Sequence, residues 1–139
     1  MSKLDGGPSD VLHVGTWLTD RAMRRRNGAM PAKEWLHRLD DRGKARFLAA
    51  VTVLENTIRS GRPPAGRAEQ VKGSKIGLWE LRVTNKGSTP PHLRVFYLRR
   101  GRTIWVASGI TKQKNSLSPA DIRTAESIAR EWSSEEGSP

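Results

Sequence analysis

Three strand-like runs in the centre of the chain most constrain what it can fold into. The first, residues 76–84, alternates apolar and mixed positions, as a half-buried strand does. The second and third, residues 93–98 and 103–108, are apolar on both faces almost throughout, a pattern typical of central strands. Arg100 and Gly101 lie between the last two runs and predict a tight hairpin turn. The sequence therefore predicts a small antiparallel sheet.

Helical patterns flank this sheet unit on both sides. Residues 31–39 and 40–60 carry apolar residues at three- and four-residue spacing and predict a helical hairpin with one apolar face. Residues 61–74 contain adjacent prolines and several glycines, which predict a loop. Ser118 and Pro119 then predict the start of a last helix, as its N-cap and first residue. The predicted fold class is α+β, with the hairpin and one C-terminal helix packed on the sheet.

The predicted organisation is one domain with two polar ends. Residues 31–132 form the domain, and residues 133–139 are expected to be a flexible tail. Residues 1–30 are an extension, expected to be partly disordered with a candidate first strand through Val11, Leu12, Val14 and Trp17. The arginines at residues 24–26 lie in a loop that either contacts phosphates or is simply solvated, and the sequence leaves both readings open.

Several function classes are excluded by composition. The chain has no cysteine, and its three histidines show no metal-ligand spacing, so we expect no disulfide, metal or cofactor. It has no long apolar run and no secretory h-region, so we expect a cytoplasmic protein without a membrane partner. The sequence motifs of phosphate-loop enzymes, zinc proteases and serine hydrolases are also absent.

A formal net charge of +11 predicts attraction to polyanions. Arg94 breaks an otherwise apolar strand, so its head group must reach water or an anion. Apart from a functional anion, the two explanations are an edge position from which the side chain reaches water and a salt bridge to Glu80. Cationic residues recur along the strands and at their exit, with Glu80, His92 and Tyr97 nearby. Fixed cations can stabilise the charge that develops when RNA is cut by its own 2′-hydroxyl. His92 is either a loop histidine or, by proximity, a candidate base.

Ordered motifs between residues 33 and 132 resemble the RelE/ParE superfamily of toxins from bacterial toxin–antitoxin systems, and most closely its HigB-like, phage-derived branch. They are Lys33-Glu34-Trp35-Leu36 with Leu39, Gly77-Leu78-Trp79-Glu80-Leu81-Arg82, Leu93-Arg94-Val95-Phe96-Tyr97, and Gly109-Ile110-Thr111-Lys112. The resemblance implies a growth-inhibiting toxin held inactive by a cognate antitoxin, which we expect to be of the helix-turn-helix type. In the HigB-like and RelE-like branches it also implies cleavage of messenger RNA on the ribosome.

The resemblance also suggests site residues. Its strand arginine and basic exit loop correspond to the expected catalytic residues Arg94, Lys112 and Lys114. Expected RNA-binding residues are Arg82, Lys75 and Lys72. The chain departs from some RNA-cleaving members, because Leu78 and Glu80 stand where those members carry lysines. No tyrosine follows Lys112, and the general base is not assigned.

Three functions remain open at this stage. The first is a ribosome-dependent, metal-independent messenger RNA endonuclease. The second is a non-enzymatic inhibitor of DNA gyrase of the ParE kind, which has the same fold without the nuclease residues. The third is a basic domain that binds nucleic acid without any activity.

Overall fold

Three helices and four strands make up the part of the chain that the structure describes. The computed structural model describes residues 20–62, 67–84, 92–112 and 118–135. In chain order the elements are α1 (Pro31–His37), α2 (Asp41–Arg59), β1 (Ala68–Gln70), β2 (Trp79–Thr84), β3 (His92–Arg100), β4 (Thr103–Lys112) and α3 (Pro119–Glu135). The predicted α+β fold is confirmed, with a helical hairpin before the sheet and one helix after it.

The helical hairpin α1–α2 forms where its sequence pattern predicts it. Pro31 occupies the first turn of α1, where its missing N–H leaves no hydrogen bond unmade. Asp40 caps α2, since its Oδ1 accepts a hydrogen bond from the backbone N–H of Gly43 at 2.7 Å. The apolar residues of α2 share one side of the helix and are buried against the sheet: Phe47, Leu48, Val51, Leu54 and Ile58.

The four strands pair antiparallel in the order β1-β2-β3-β4. Strand β1 corrects the prediction of a loop over residues 61–74, because Ala68–Gln70 pairs with β2. Backbone hydrogen bonds extend this pairing at both ends, from Arg82 N to Arg67 O at 2.8 Å and from Val71 N to Leu78 O at 2.9 Å. A strand of three residues is too short to show alternation, and the turn-forming residues around it predicted a loop instead.

Strands β3 and β4 form a hairpin that is longer than predicted. Gly101 makes the predicted turn, with a φ of +62° that a side chain would strain. The third strand-like run was predicted to end at residue 108, but β4 continues to Lys112, which pairs with His92. His92 is therefore the first residue of a strand and not a loop histidine.

A bulge in β4 shifts the register of this hairpin. The irregularity falls between Phe96 and Tyr97, so that Ala107 is the extra residue in β4. Before the bulge Val106 lies in the core under the helical hairpin, and beyond it Ile110 packs on the α3 side. The bulge therefore exchanges the faces that odd- and even-numbered residues of β4 occupy.

The sheet buries a hydrophobic core on each face. On the α1–α2 side the strands contribute Ala68, Leu81, Val83, Leu93, Val95, Tyr97, Ile104 and Val106. On the α3 side the buried residues from the sheet and the adjoining segments are Met23, Leu78, Phe96, Leu98 and Ala107. Because β3 is buried on both faces from Leu93 to Leu98, a polar side chain within that stretch is enclosed by protein.

Helix α3 begins at the predicted cap. The Oγ of Ser118 accepts a hydrogen bond from Asp121 N at 3.2 Å, and the Oδ2 of Asp121 accepts one from Ser118 N at 3.4 Å. The other end of the helix lies on β4, where the rings of Trp132 and Trp105 are 5.1 Å apart. The helix continues to Glu135, past the predicted end at Trp132.

Gly109 marks a very close approach of a helix to the sheet. A Cβ at this position would lie 2.2 Å from Cε3 of Trp35. Trp35 is buried, and its ring meets that of Phe47 edge-on at a centroid distance of 6.0 Å. Helix α1 can therefore lie this close to β4 only because residue 109 has no side chain.

Some sequence predictions fall outside the described residues. They are the candidate first strand through Val11, Leu12, Val14 and Trp17, the disorder of the first residues, and the position of Lys114. Within the described ranges, no helix is long and apolar enough to cross a membrane.

Candidate functional site

Two arginines meet on the α3 side of the sheet. Arg82 in β2 pairs directly with Arg94 in β3, so the antiparallel register places their side chains next to each other on one face. Like charges at such a pair repel unless carboxylates lie close by. Glu80 stands two residues before Arg82 on the same face, and Glu69 of β1 pairs with Glu80. The register of three strands therefore brings together two arginines and two glutamates.

The inner layer of this charged cluster is the pair formed by Glu80 and Arg94. Glu80 is 6% exposed and Arg94 4%, and the distance from Arg94 Nε to Glu80 Oε2 is 3.5 Å. Of the two explanations that the sequence allowed for Arg94, the ion pair with Glu80 is confirmed. The arginine does not extend to the solvent; its charge is balanced inside the protein.

The outer layer is formed by Arg82 and Glu69. Arg82 Nη2 lies 2.6 Å from Glu69 Oε1, and Arg82 Nε lies 3.8 Å from Glu80 Oε1. The side chain of Arg82 is 36% exposed and that of Glu69 is 58% exposed. Arg82 therefore bridges the buried carboxylate and the surface, and it can exchange Glu69 for another anion more easily than Arg94 can exchange Glu80.

Burial controls the electrostatics of the inner pair. It raises the pKa of Glu80 above that of an ordinary glutamate, and Arg94 and then Arg82 oppose this effect. Burial likewise lowers the pKa of Arg94, while the carboxylate of Glu80 opposes the change. The carboxylate is thus a stronger proton acceptor than an exposed one. Taken together, the two arginines and two glutamates carry no net charge, so an incoming phosphate must compete with the carboxylates.

The other predicted cations lie at different places around the sheet. Lys112 occupies the register position opposite His92, two residues from Arg94 along β3. Lys72 and Lys75 are exposed in the connection between β1 and β2, beyond the end of β2 that is remote from Thr84. The structure brings Arg82 and Arg94 together, sets Lys112 at a neighbouring strand position, and keeps the other two lysines apart from them.

The family of the chain follows from a match that contains the motifs around this cluster. A family model described as "Phage derived protein Gp49-like" matches residues 34–130, well over half of the 139-residue chain. The chain belongs to this Gp49-like family. It is a family of RelE/ParE-like toxins of toxin–antitoxin systems, and this much of the resemblance is confirmed. No curated protein matches the chain.

Tyr97 does not belong to the charged cluster of this Gp49-like protein. It lies on the α1–α2 side of the sheet, fully buried, with its ring stacked 6.2 Å from that of Trp79. Burial raises its pKa, and its hydroxyl has no hydrogen-bond partner in the described part of the chain. Tyr97 therefore cannot exchange a proton with a ligand held by Arg82 or Arg94, and nearness in sequence misled the prediction.

The arginines at residues 24–26 are mostly engaged by α3. Arg25 Nη2 and the backbone N of Arg26 bind the carboxylate of Glu131 at 3.0 Å and 2.6 Å. Arg26 Nε also binds Glu135 at 2.7 Å. The backbone hydrogen bond from Arg26 is the main reason that the pKa of Glu131 is lowered. These contacts fasten the chain before α1 to the last helix, a role that neither reading of the cluster anticipated.

A groove that the sequence reading missed lies on the opposite side of the sheet in this Gp49-like fold. It has a volume of about 510 Å³ between α2 and the strands β1 and β2, and Arg46 and Arg67 contribute to its lining. Val53 also lines the groove and is 65% exposed, whereas the other large apolar residues in the described part of the chain are at least partly buried. The available signal was that Val53 falls outside the buried stripe of α2.

The described residues contain no group of three or more histidines, aspartates and glutamates that could hold a metal ion. The charged cluster itself offers two guanidinium groups that can hold an anion and one buried carboxylate that can accept a proton.

Proposed function

We propose that this chain is the toxin of a toxin–antitoxin pair and that it cleaves ribosome-bound messenger RNA without a metal. Family membership supports the toxin assignment. The observation that carries the nuclease assignment is the pairing of Arg82 with Arg94 on one sheet face. Two adjacent guanidinium groups can hold a phosphate group through charge-assisted hydrogen bonds, and they stay charged at every physiological pH.

In this proposal Arg94 and Arg82 bind the phosphate at the cleavage point. Negative charge grows on the phosphate oxygens as the 2′-oxygen attacks, and fixed guanidinium groups stabilise that charge without reorganising. Lys112 is the last residue of β4, and Lys114 follows it by two residues in the sequence. In the proposal both lysines would add positive charge on the side of the leaving oxygen.

Lys72 and Lys75 serve a different purpose in the proposal. They are exposed at the other end of β2, so they would contact RNA away from the cleaved bond. Their contribution would be to affinity, and it would weaken as salt rises.

The implied partners are a cognate antitoxin of the helix-turn-helix type, the ribosome and messenger RNA, all in the cytoplasm. The net charge of +11 supports association with polyanions such as the ribosome. The same charge would speed the encounter with an acidic antitoxin.

The test is induction in a bacterial host, followed by mapping of 5′ ends on cellular messenger RNA. The informative variant is Arg94→Lys, because it keeps a cation beside Glu80 while it removes the planar fork that binds phosphate. Codon-phased cuts by the natural protein, strongly reduced in Arg94→Lys, are expected.

A destabilised variant with an intact cluster is the matched control. Gly109→Ala disturbs the contact with Trp35 on the opposite face of the sheet, so it should retain cuts at the same positions in the folded fraction. If Arg94→Lys cuts as well as the natural protein, the assigned site is wrong.

Inhibition of DNA gyrase is the second candidate function. The observation that favours it is Glu80, which stands where some RNA-cleaving relatives are expected to carry a lysine and which neutralises Arg94. Growth arrest with intact messenger RNA and inhibited supercoiling would select this candidate over the nuclease. If expression causes no arrest and the protein only binds RNA in a salt-dependent way, a binding domain remains.

A further inference from the structure

The carboxylate of Glu80 has an unused acceptor site inside the charged cluster. Its Oε2 is buried and accepts no hydrogen bond from any described residue. Arg94 Nε lies 3.5 Å from this oxygen, longer than the usual ~2.7–2.9 Å of a charge-assisted hydrogen bond. Leaving such an oxygen unsatisfied costs free energy, so its presence in a native fold calls for an explanation.

A purely structural role for Glu80 does not explain this geometry. A carboxylate that served only to neutralise two arginines would gain most from short, paired hydrogen bonds to both guanidinium groups. Instead, Glu80 lies 3.5 Å from Arg94 and 3.8 Å from Arg82, while Arg82 makes its short contact, at 2.6 Å, with Glu69. Glu80 is therefore held between the arginines with the capacity to accept one more hydrogen bond.

We propose that Glu80 is the general base that removes the proton from the 2′-hydroxyl of the bound RNA. This inference rests on the proposed nuclease function. In the step, the 2′-hydroxyl proton moves to the carboxylate of Glu80, and the 2′-oxygen forms a bond to phosphorus. The bond from phosphorus to the 5′-oxygen breaks with its electron pair, and that oxygen takes a proton from water. The products are a 2′,3′-cyclic phosphate and a 5′-hydroxyl, and Glu80 then releases its proton to solvent.

The layering of the cluster provides a route for the substrate to Glu80. Arg82 and Glu69 form the solvent-facing layer over the inner pair. A phosphate group that replaces Glu69 as the partner of Arg82 would bring the adjacent ribose towards the carboxylate. The charges that face Glu80 from the neighbouring strands are Arg94, Arg82 and Glu69. Its burial, which raises its pKa, makes the carboxylate a more effective base than an exposed glutamate.

The experiment measures single-turnover cleavage of a defined messenger RNA on purified ribosomes by the full chain, as a function of pH. The natural protein should lose activity on the acidic side as Glu80 becomes protonated. Glu80→Gln should cleave roughly 10²–10⁴-fold more slowly, and its residual activity should show no such acidic decline. Glu80→Asp retains a carboxylate and should be slower while it keeps the decline. Glu34→Gln is the matched control, because Glu34 is an exposed glutamate of α1 on the other side of the sheet, and this variant should stay within a few-fold of the natural rate.

The outcomes separate this inference from the proposed function. If the natural protein cleaves and Glu80→Gln cleaves equally fast, the nuclease stands and the role of Glu80 is refuted. If Glu80→Gln is slow but keeps the acidic decline, Glu80 only positions Arg94 and is not the base. If Glu80→Gln does not fold, an acid-insensitive rate in the natural protein refutes the inference. If the natural protein does not cleave, both proposals fail together.

Discussion

Replacing Gly109 by alanine should disrupt the packing of α1 against β4. The new Cβ would lie 2.2–2.5 Å from three ring atoms of Trp35. Carbon atoms in protein interiors normally approach to ~3.5–4.0 Å, so the indole must move by more than about 1 Å. Trp35 is buried, and its ring is also in edge-on contact with that of Phe47. The ring therefore has little room to move, and α1 must shift away from the sheet.

The expected loss in the free energy of unfolding is about 3 kcal/mol, at the upper end of the range for an overpacked core. Without the clash, Gly→Ala in a compatible backbone conformation would instead stabilise by ~0.4–1 kcal/mol, because alanine restricts the unfolded chain. The sign of the effect thus depends on the indole alone. Urea denaturation followed by circular dichroism measures it.

The control is the same substitution in a Trp35→Leu background. Leucine leaves a cavity where the indole was, so Gly109→Ala should then cost less than about 1 kcal/mol or become stabilising. A double-mutant cycle gives the difference as a coupling energy. An equal cost in both backgrounds would show that the clash with Trp35 is not the cause, and an unchanged stability of Gly109→Ala would refute the packing described here.

Further predictions concern the charged cluster and α3. Arg94→Ala leaves Glu80 as a buried carboxylate without its main counter-charge and should lower the free energy of unfolding, measured by urea denaturation, by about 3–5 kcal/mol. Replacing Arg94 and Glu80 together by glutamine should lower it by less, and an equal loss would contradict the ion pair. Ser118→Ala removes the cap of α3 and should cost about 1 kcal/mol, whereas Ser118→Thr should be nearly neutral; equal losses would exclude the cap. Burial raises the pKa of Glu80, so the folded state binds its proton more tightly than the unfolded state does, and stability falls as pH rises from the ordinary glutamate value through the raised pKa. The stability of Glu80→Gln relative to the natural protein should therefore improve over that interval, and a difference independent of pH would contradict the shift. The pKa of Glu131 is lowered, so the stability that its carboxylate contributes to the folded state is present at neutral pH and is lost as pH falls through the lowered pKa. In an NMR titration the chemical shift of the Arg26 amide should change at the same pH as that of the Glu131 carboxyl, below the ordinary glutamate range. Changes at different pH values would contradict the hydrogen bond.

Most of the fold could be predicted because its elements have strong local patterns. The stripe of α2, the cap of α3 and the Gly101 turn each depend on residues that are close in sequence. Strand β1 could not be predicted in this way, since three residues offer no period and their pairing depends on β2. The extent of β4 was also missed, because its last residues are polar and are held in the sheet by pairing with β3.

The candidate site was predictable only in part, for a related reason. Arg94 could be singled out because a charge within an apolar strand needs a partner, and Glu80 was one of the partners considered. The pairing of Arg82 with Arg94 depends on the register between β2 and β3. The length of the connection between these two strands does not show which of their residues pair. The engagement of Arg25 and Arg26 by Glu131 joins residues more than 100 positions apart, and no local pattern contains that information.

The bulge at Ala107 determines where β4 can lose or gain a single residue without turning its side chains to the wrong face. Removing Ala107 would leave a regular ladder in which Val106 still pairs with Tyr97 and Ser108 still pairs with Phe96. Removing a residue elsewhere in β4 would turn one part of the strand over, exposing core side chains on one face and forcing others into the opposite core. Among proteins with this fold, gaps and insertions of a single residue in the last strand should therefore collect at this one position.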